Sequence, residues 1–344
     1  MPRLSVVVAA RNEAGCIGAC LDALLRQDVA AGTLEIVVAD DASTDETAAL
    51  AARRGVRCLR LPRSGPAQAR NLGVQASRGA IVAFIDADAV PAPDWARALL
   101  AAFETIDDPR LAGLGGPQAG HPDDANFARD LGVFLRAIGF VADYVKPHAA
   151  VTRVGHNASC NSAYKREIFL HAGGFRPGLF PGEDVDLDKR LTDAGFSVWF
   201  TPTARIAHRR PPNARAWLRM LASYARSQAD CLAIHGFFRL LHGVPFAWLA
   251  GLIVLVLFPR PTLAALTAAV LGMALALRLR HGLALGRGLF CILTTGLVYP
   301  PVFLARLATR RWGLVRADRR PVLPPLARAA IPDQDAFSTS TRAS

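Results

Sequence analysis

Hydrophobic positions follow two regimes along the chain. Up to about residue 232, short apolar runs alternate with mixed, charged stretches; from 244 to 308 the sequence is almost continuously apolar, apart from two short Arg-containing breaks. Among the first hundred residues, the runs at Leu4 to Ala10, Leu34 to Ala39, Val56 to Leu61 and Ala80 to Ile85 read as strands. Helical patterns fall between them, near Cys16 to Gln27, from Thr44 onward and near Ala67 to Ala76. Strands alternating with helices of about three turns predict an α/β fold with a doubly wound, mostly parallel sheet. Ser43 with Glu46 three residues later has the capping-box pattern, which starts the second helix there and leaves Asp40 and Asp41 at a strand end.

The apolar stretch divides into Val244 to Phe258, Thr262 to Leu277 and Gly288 to Leu307. Only the last approaches the roughly twenty residues that span a bilayer, so the first two, joined by Pro259-Arg260-Pro261, read as a tight helical hairpin. Three such segments in succession favour membrane insertion over soluble core helices. Three full crossings would place the Arg310-to-Arg320 tail opposite the N-terminal domain, against the positive-inside bias. Either the hairpin stops short of crossing or Pro300-Pro301 folds the last segment back into a re-entrant shape. The expected organisation is a globular domain over 1–212, an amphipathic interfacial region over 213–243, membrane helices over 244–310 and a basic, flexible tail over 311–344. Two apolar stripes are expected to dock on the bilayer surface. One comprises Phe127, Leu131, Phe134, Leu135, Ile138, Val141, Ala142 and Val145; the other comprises Trp217, Leu221 and Tyr224 beside Arg215, Arg219 and Arg226.

Composition changes this picture mainly through charge. The 344-residue chain carries a net charge of +12, yet its Arg clusters flank or interrupt the apolar segments, which fits a membrane. No aromatic-interleaved basic patch or nucleic-acid module is present, so nucleic acid is excluded as a partner. Cys16, Cys20, Cys58, Cys160, Cys231 and Cys291 lack metal-knuckle or redox spacing and read as reduced or buried thiols. The initial apolar run is too short for a signal sequence and ends at Arg11-Asn12-Glu13. It is expected to be a first strand, in a domain that stays cytoplasmic.

The conspicuous polar groups, Arg11-Asn12-Glu13, Asp40-Asp41 and Asp86-Ala87-Asp88, fall at strand ends, where open α/β sheets bind ligands. GxGxxG and GxxxxGK[ST] loops are absent, which argues against dinucleotide oxidoreductases and P-loop phosphotransferases. Asp86 and Asp88 follow a buried strand, and a period of two sends both carboxylates to one side. Such a pair suits Mg²⁺ or Mn²⁺, with phosphates completing the shell and the cation neutralising a leaving diphosphate. Asp40 and Asp41 are not needed as caps, which favours base and ribose contacts. Arg70 offers its guanidinium to a diphosphate. Glu183 and Asp184 open a helix after a Gly/Pro-rich turn. Carboxylates there suit the macrodipole, and suit equally a general base that takes a proton from an acceptor hydroxyl.

These segments resemble the family 2 glycosyltransferases, whose nucleotide-sugar-binding α/β fold is called type A. The matching stretches run in order across roughly residues 4 to 210. They are Ser5 to Glu13, Val37 to Asp45, Ala69 to Gly73, Phe84 to Asp88, Asn161 to Arg166, Gly173 to Phe175, Glu183 to Leu187 and Ala204 to His208. The resemblance implies a catalytic domain that binds a nucleotide-sugar donor through Ala9, Arg11, Glu13, Asp40, Asp41, Arg70, Asp86 and Ala87. In it, Asp41 contacts the base and Asp86 the ribose. Asp88 becomes the main protein ligand of Mg²⁺ or Mn²⁺, joined by Asp86 and His208, while Asp184 is the catalytic base and Glu183 orients the acceptor. Inversion by a single in-line displacement is also implied. The Gln-x-x-Arg-Trp motif of processive synthases is missing from the corresponding stretch, Arg215 to Arg226, so one sugar per acceptor is expected. With the membrane segments, the expectation is an enzyme on the cytoplasmic face of the cell (inner) membrane, acting on a lipid or lipid-linked glycan. Two alternatives stay open: a non-catalytic membrane scaffold that keeps the fold, and a nucleotidyltransferase acting on a lipid phosphate.

Overall fold

The structure, a computed structural model, describes residues 2–138 and 149–309. At its centre β1 (Leu4–Ala10) lies between parallel partners β2 (Leu34–Asp41) and β4 (Ile81–Asp86), with β3 (Arg57–Leu61) parallel on the outer side of β2. Beyond β4, an inserted strand β9 (Asn161–Lys165) runs antiparallel to both β4 and β6 (Leu111–Gly115). β10 (Ser197–Phe200) continues parallel to β6, and β8 (Thr152–Val154) closes the edge antiparallel to it. The sheet order is therefore β3-β2-β1-β4-β9-β6-β10-β8. This is the mostly parallel α/β sheet that the hydrophobic pattern predicts, with antiparallel strands added after residue 150.

Alternation along β1 sends Val7 to one face and Val6 and Val8 to the other. Val7 joins Phe84, Tyr164, Phe169 and Phe175 in a cluster shared with α3 (Pro66–Ala76), α6 (Arg166–His171) and α7 (Glu183–Asp193). A Cβ on Gly73 would come within 2.4 Å of Val7 Cγ1, so glycine is what lets α3 lie on β1. On the opposite face, α1 (Ile17–Leu25), α4 (Trp95–Thr105), α5 (Asn126–Ala137) and α8 (Ala214–His235) build a second cluster that includes Trp95, Phe134 and Trp217.

Local bonding corrects one boundary. Helix α2 (Thr47–Arg53) begins after the Ser43–Glu46 box. The Ser43 hydroxyl instead accepts the Asn12 amide (3.0 Å), and Asp45 accepts the Thr47 amide (3.0 Å), so bonds between loops replace the box.

Among the described residues, three helical stretches at the C-terminal end are long and apolar enough to cross a membrane. They are Leu240–Leu257, made of a 3-10 turn (Leu240–Gly243) and α9 (Val244–Leu257), then α10 (Pro259–His281) and α11 (Leu285–Thr309), with 18, 23 and 25 residues respectively. This corrects the expectation that only the last reaches spanning length. Proline sits in the first turn of α10, where its missing N–H has no helical partner to lose, so the helix starts before Thr262 and runs on to His281. Pro300 and Pro301 do not break α11, which is continuous through them.

Leu131, Phe134 and Leu135 of the first stripe expected on the bilayer, and Trp217 and Leu221 of the second, are buried against protein instead. Phe134 meets Trp217 edge-on at 6.4 Å, Phe127 meets Phe290 at 6.1 Å, and the Trp217 indole donates to Thr294 Oγ1 at 3.0 Å. Val141, Ala142 and Val145 of the first stripe, and the 311–344 tail, lie outside the described residues.

Candidate functional site

Strand register brings distant residues to one sheet edge. Ala9 of β1 lies opposite Ala39 and Asp86, so Arg11 to Glu13, Asp41 and Asp86 leave the sheet together. Because β9 is antiparallel to β4, with Asn161 opposite Ile85, the preceding residues Ala158-Ser159-Cys160 arrive at the same edge. A small second sheet supplies the histidine. Its strand β11 (Ile206–His208) pairs antiparallel with β5 (Ala89–Pro91), setting His208 opposite Ala89, the residue after Asp88.

Two cavities open there. The first, about 390 Å³, is lined by Ala9, Arg11, Glu13, Asp41, Arg70, Asp86, Ala87 and Asp88, with Arg63, Gly65 and Phe180 completing its wall. Asp41 is held by the Ser64 amide (2.6 Å) and the Gly65 amide (3.1 Å). Burial pushes the Glu13 carboxyl up, the Cys16 thiol bond opposes this, and Asp88 and Asp86 add to the rise. Three carboxylates thus crowd one end of the cavity.

The second cavity, about 140 Å³, shares Asp86 and Phe180 with the first. Glu183, Asp184, His208, Arg209, Arg210, Tyr224 and Arg239 are among its lining residues. Asp184 accepts the Ser159 amide at 3.0 Å and the Val185 amide at 2.7 Å. Glu183 is nearly inaccessible; its Oε1 accepts from Arg70 (2.8 Å) and Ser159 Oγ (3.0 Å), while Oε2 has no hydrogen-bond partner among the described residues. Burial first, and then neighbouring Asp184, push the Glu183 carboxyl up to about 7 against the pull of Arg70.

Two expected donor contacts are corrected. Asp40 lines neither cavity: it is fully buried, its Oδ1 accepts the Ser43 amide (3.2 Å), and Arg60 lies 3.7 Å away. Strand β2 extends through both acids, so Asp40 is held inside and Asp41 reaches the cavity. Arg70, expected to offer its guanidinium to a diphosphate, lines the first cavity but is buried with NH2 donating to Asp86 (2.6 Å) and NH1 to Glu183 (2.8 Å). It ties the two cavities together, because its one guanidinium is shared between Asp86, common to both, and Glu183 of the second.

The metal-binding expectation can be tested against the donor set. One ligand atom each from Asp86, Cys160 and His208 falls within 4.8 Å of the others. His208 Nε2 lies 3.1 Å from Asp88 Oδ1 and 3.8 Å from Asp86 Oδ2. Burial pushes Asp88 up, but the His208 contact and then Arg209 outweigh it and leave the carboxyl below its ordinary value. Burial likewise lowers His208, and Asp88 outweighs it and leaves the imidazole raised. Burial keeps the Cys160 thiol well above its ordinary value, hence neutral. Two carboxylates and an imidazole remain as the set, which fits Mg²⁺ or Mn²⁺.

Several residues at the edge carry no advance signal. Ser159 and Cys160 lie in a loop whose placement depends on β9 being antiparallel. Arg210 lies at the end of the expected globular domain, and Tyr224 and Arg239 lie in the region expected to be interfacial. The run Arg209-Arg210 directly after His208 was the one available hint.

Residues 5–171 match the profile described as Glycosyl transferase family 2. The chain is 30% identical over 243 residues to the pre-mycofactocin glycosyltransferase of Mycobacterium tuberculosis, across 67% of this chain and 48% of that protein. It therefore spans about half the length of that relative. Glycosyltransferase AglE of Haloferax volcanii is 28% identical over 207 residues, covering 58% of this chain and 64% of AglE. Among solved structures, the mannosyltransferase PcManGT from Pyrobaculum calidifontis, in complex with GDP-Man and Mn²⁺, superposes with a TM-score of 0.62 at 21% identity. That match covers 90% of this chain and 87% of PcManGT, and it extends the shared fold beyond the profile.

Proposed function

The chain belongs to glycosyl transferase family 2, and on that premise we propose that it transfers one sugar from a nucleoside-diphosphate donor to a lipid-linked saccharide at the cytoplasmic face of the cell membrane. The observation that carries this reading is the meeting of the two cavities at Asp86 and Phe180, with Asp88 on one side, Asp184 on the other, and His208 reaching from the second cavity to within 3.1 Å of Asp88. The 390 Å³ cavity holds the donor, with Asp41 toward the base and Asp86 toward the ribose. Asp88, Asp86 and His208 are the residues that would hold Mg²⁺ or Mn²⁺. Bound there, the cation supplies charge neutralisation for a departing diphosphate. PcManGT, which shares the fold, holds GDP-Man and Mn²⁺ together.

Asp184 is the group suited to general base. Unlike Glu183, whose carboxylate is locked by Arg70 and Ser159, it remains partly accessible to the second cavity. An acceptor hydroxyl attacks the anomeric carbon as its proton passes to the Asp184 carboxylate. The carbon–oxygen bond to the diphosphate breaks with its electron pair leaving on the nucleotide, and the configuration inverts. Arg209, Arg210 and Arg239 line the acceptor cavity, and the buried Arg210 Nε has no hydrogen-bond partner among the described residues. Guanidinium groups placed so suit the phosphate linker of a lipid-linked glycan.

Thermal shift of the purified protein against UDP-, GDP- and dTDP-sugars with Mn²⁺ selects the donor. Incubation with that donor and lipid-linked acceptors then identifies the product. Release of a nucleoside diphosphate supports sugar transfer; release of inorganic diphosphate assigns nucleotidyl transfer instead. No donor binding with metal present contradicts an active enzyme and favours a scaffold.

A further inference from the structure

Length and composition alone make α11 a third crossing, but its contacts are those of a helix laid across the foot of the other two. At its N-terminal end, the position a Gly288 Cβ would occupy is 3.8 Å from Leu277 Cδ1 and 3.7 Å from Leu283 Cδ2, at the close of α10 and just beyond it. Towards its C-terminal end, the Phe303 ring lies 6.5 Å from His242 and 6.3 Å from Phe246, at the start of α9. Both contacts fall at the same end of the α9–α10 hairpin, the end joined to the catalytic domain, where His242 bonds Gln228 of α8 at 3.2 Å. Gly288 and Phe303 are about 22 Å apart along the helix, at a rise of about 1.5 Å per residue. A helix rising beside the hairpin over that length would carry one of these contacts to the Phe258-Pro259 tip.

Anchors at both ends agree. Arg287 is ion-paired with Asp130 of α5, and Arg306 is paired with Asp230 of α8 at 3.0 Å. Between them, Trp217 of α8 donates to Thr294. Arg215, Arg219 and Arg226 are exposed on α8, and such charges are costly in hydrocarbon. A helix held against α8 along its length stays at the same level. On α11 itself, Leu293 and Leu297, one turn apart, are 48% and 69% exposed and present an apolar stripe of the kind that rests on lipid.

We propose that α9 and α10 cross the bilayer as a hairpin, whereas α11 lies in the membrane surface between the catalytic domain and the lipid. The C-terminal end of α11, at Thr309, then stands on the side of the catalytic domain. Charge follows this arrangement. Arg239, Arg278, Arg280 and Arg287 surround the foot of the hairpin, and Arg260 alone stands at the tip, the asymmetry of the positive-inside rule. The cavity that contains Arg239 and Leu241 is thereby set at headgroup height.

Cysteine labelling of the full-length protein in cells, with a membrane-impermeant maleimide added before or after membrane disruption, tests the proposal. Arg26→Cys reports the catalytic domain, Arg260→Cys the tip and Ser338→Cys the tail, each read against the parent chain, whose Cys16 and Cys58 are partly exposed. The expected result is that positions 26 and 338 react from one side and position 260 from the other. Reaction of Ser338→Cys from the side of Arg260→Cys overturns the proposal, as does reaction of all three from one side. If Ser338→Cys fails to accumulate, Ala343→Cys serves as the tail reporter. The readout needs no turnover, so it stands even if the transferase reading fails.

Discussion

The two cavities, proposed here for donor and acceptor, share Asp86 and Phe180 but are assembled differently. Nearly all the donor wall comes from the first ninety residues, where flush parallel strands present their loops at one edge. The acceptor wall gathers the loop before β9, the start of α7, the end of β11, α8 and the turn before α9. A contiguous α/β unit can keep a donor site intact while the acceptor side varies with whatever segments are packed against it. The two walls are therefore expected to respond separately to substitution, with Arg70 and the His208–Asp88 pair as ion-pair links between them.

The largest separation is expected at the base. Asp184→Asn should lower the transfer rate by about two to four orders of magnitude, the scale of a lost general base, while calorimetry finds donor and Mn²⁺ affinity unchanged. A rate near that of the parent protein removes Asp184 from the mechanism, and a parallel loss of donor binding breaks the two-wall description. Asp88→Ala should act on the other wall. It abolishes the Mn²⁺-dependent part of donor binding, a loss of at least about tenfold by calorimetry for a site held by one or two carboxylates.

Smaller effects sharpen the comparison. Arg210→Ala should raise the KM for a lipid-linked acceptor by about tenfold, the scale of one charge-assisted hydrogen bond, with kcat and donor affinity unmoved. A kcat loss at constant KM would argue against a binding role. The pH dependence of stability isolates Glu183. Its folded carboxyl keeps a proton up to about 7, against 4.5 ordinarily. The folded state therefore binds more protons between those values, and stability falls as pH rises through that window and levels off above it. Thermal unfolding in detergent should show this slope in the parent protein and a flatter one in Glu183→Gln; equal slopes contradict the buried, protonated carboxyl.

Legibility in the sequence followed the same division. Asp86 and Asp88 stood out because they close a buried strand of period two, and Asp41 because it ends another. Asp40 was misread because β2 runs through both acids, so the loop that would have turned it outward does not exist. The Arg70–Glu183 pair was not legible, since the two residues lie over a hundred positions apart. The apolar stripe of α8 could not be assigned from spacing, because a protein partner and a lipid surface ask for the same periodicity. Its buried Trp217 answers the question only through Thr294 of α11. For α11, composition suggested a span, and the proposal that it lies across the feet of α9 and α10 rests on contacts far apart in sequence.

The most direct test of the central claim is to locate Mn²⁺ by anomalous scattering in crystals of the protein with the selected nucleoside diphosphate. The account predicts a single manganese peak between Asp88 and His208, with the diphosphate in the 390 Å³ cavity and its terminal phosphate toward Asp184. Manganese away from Asp88, or a nucleotide seated between α7 and α8, would contradict it.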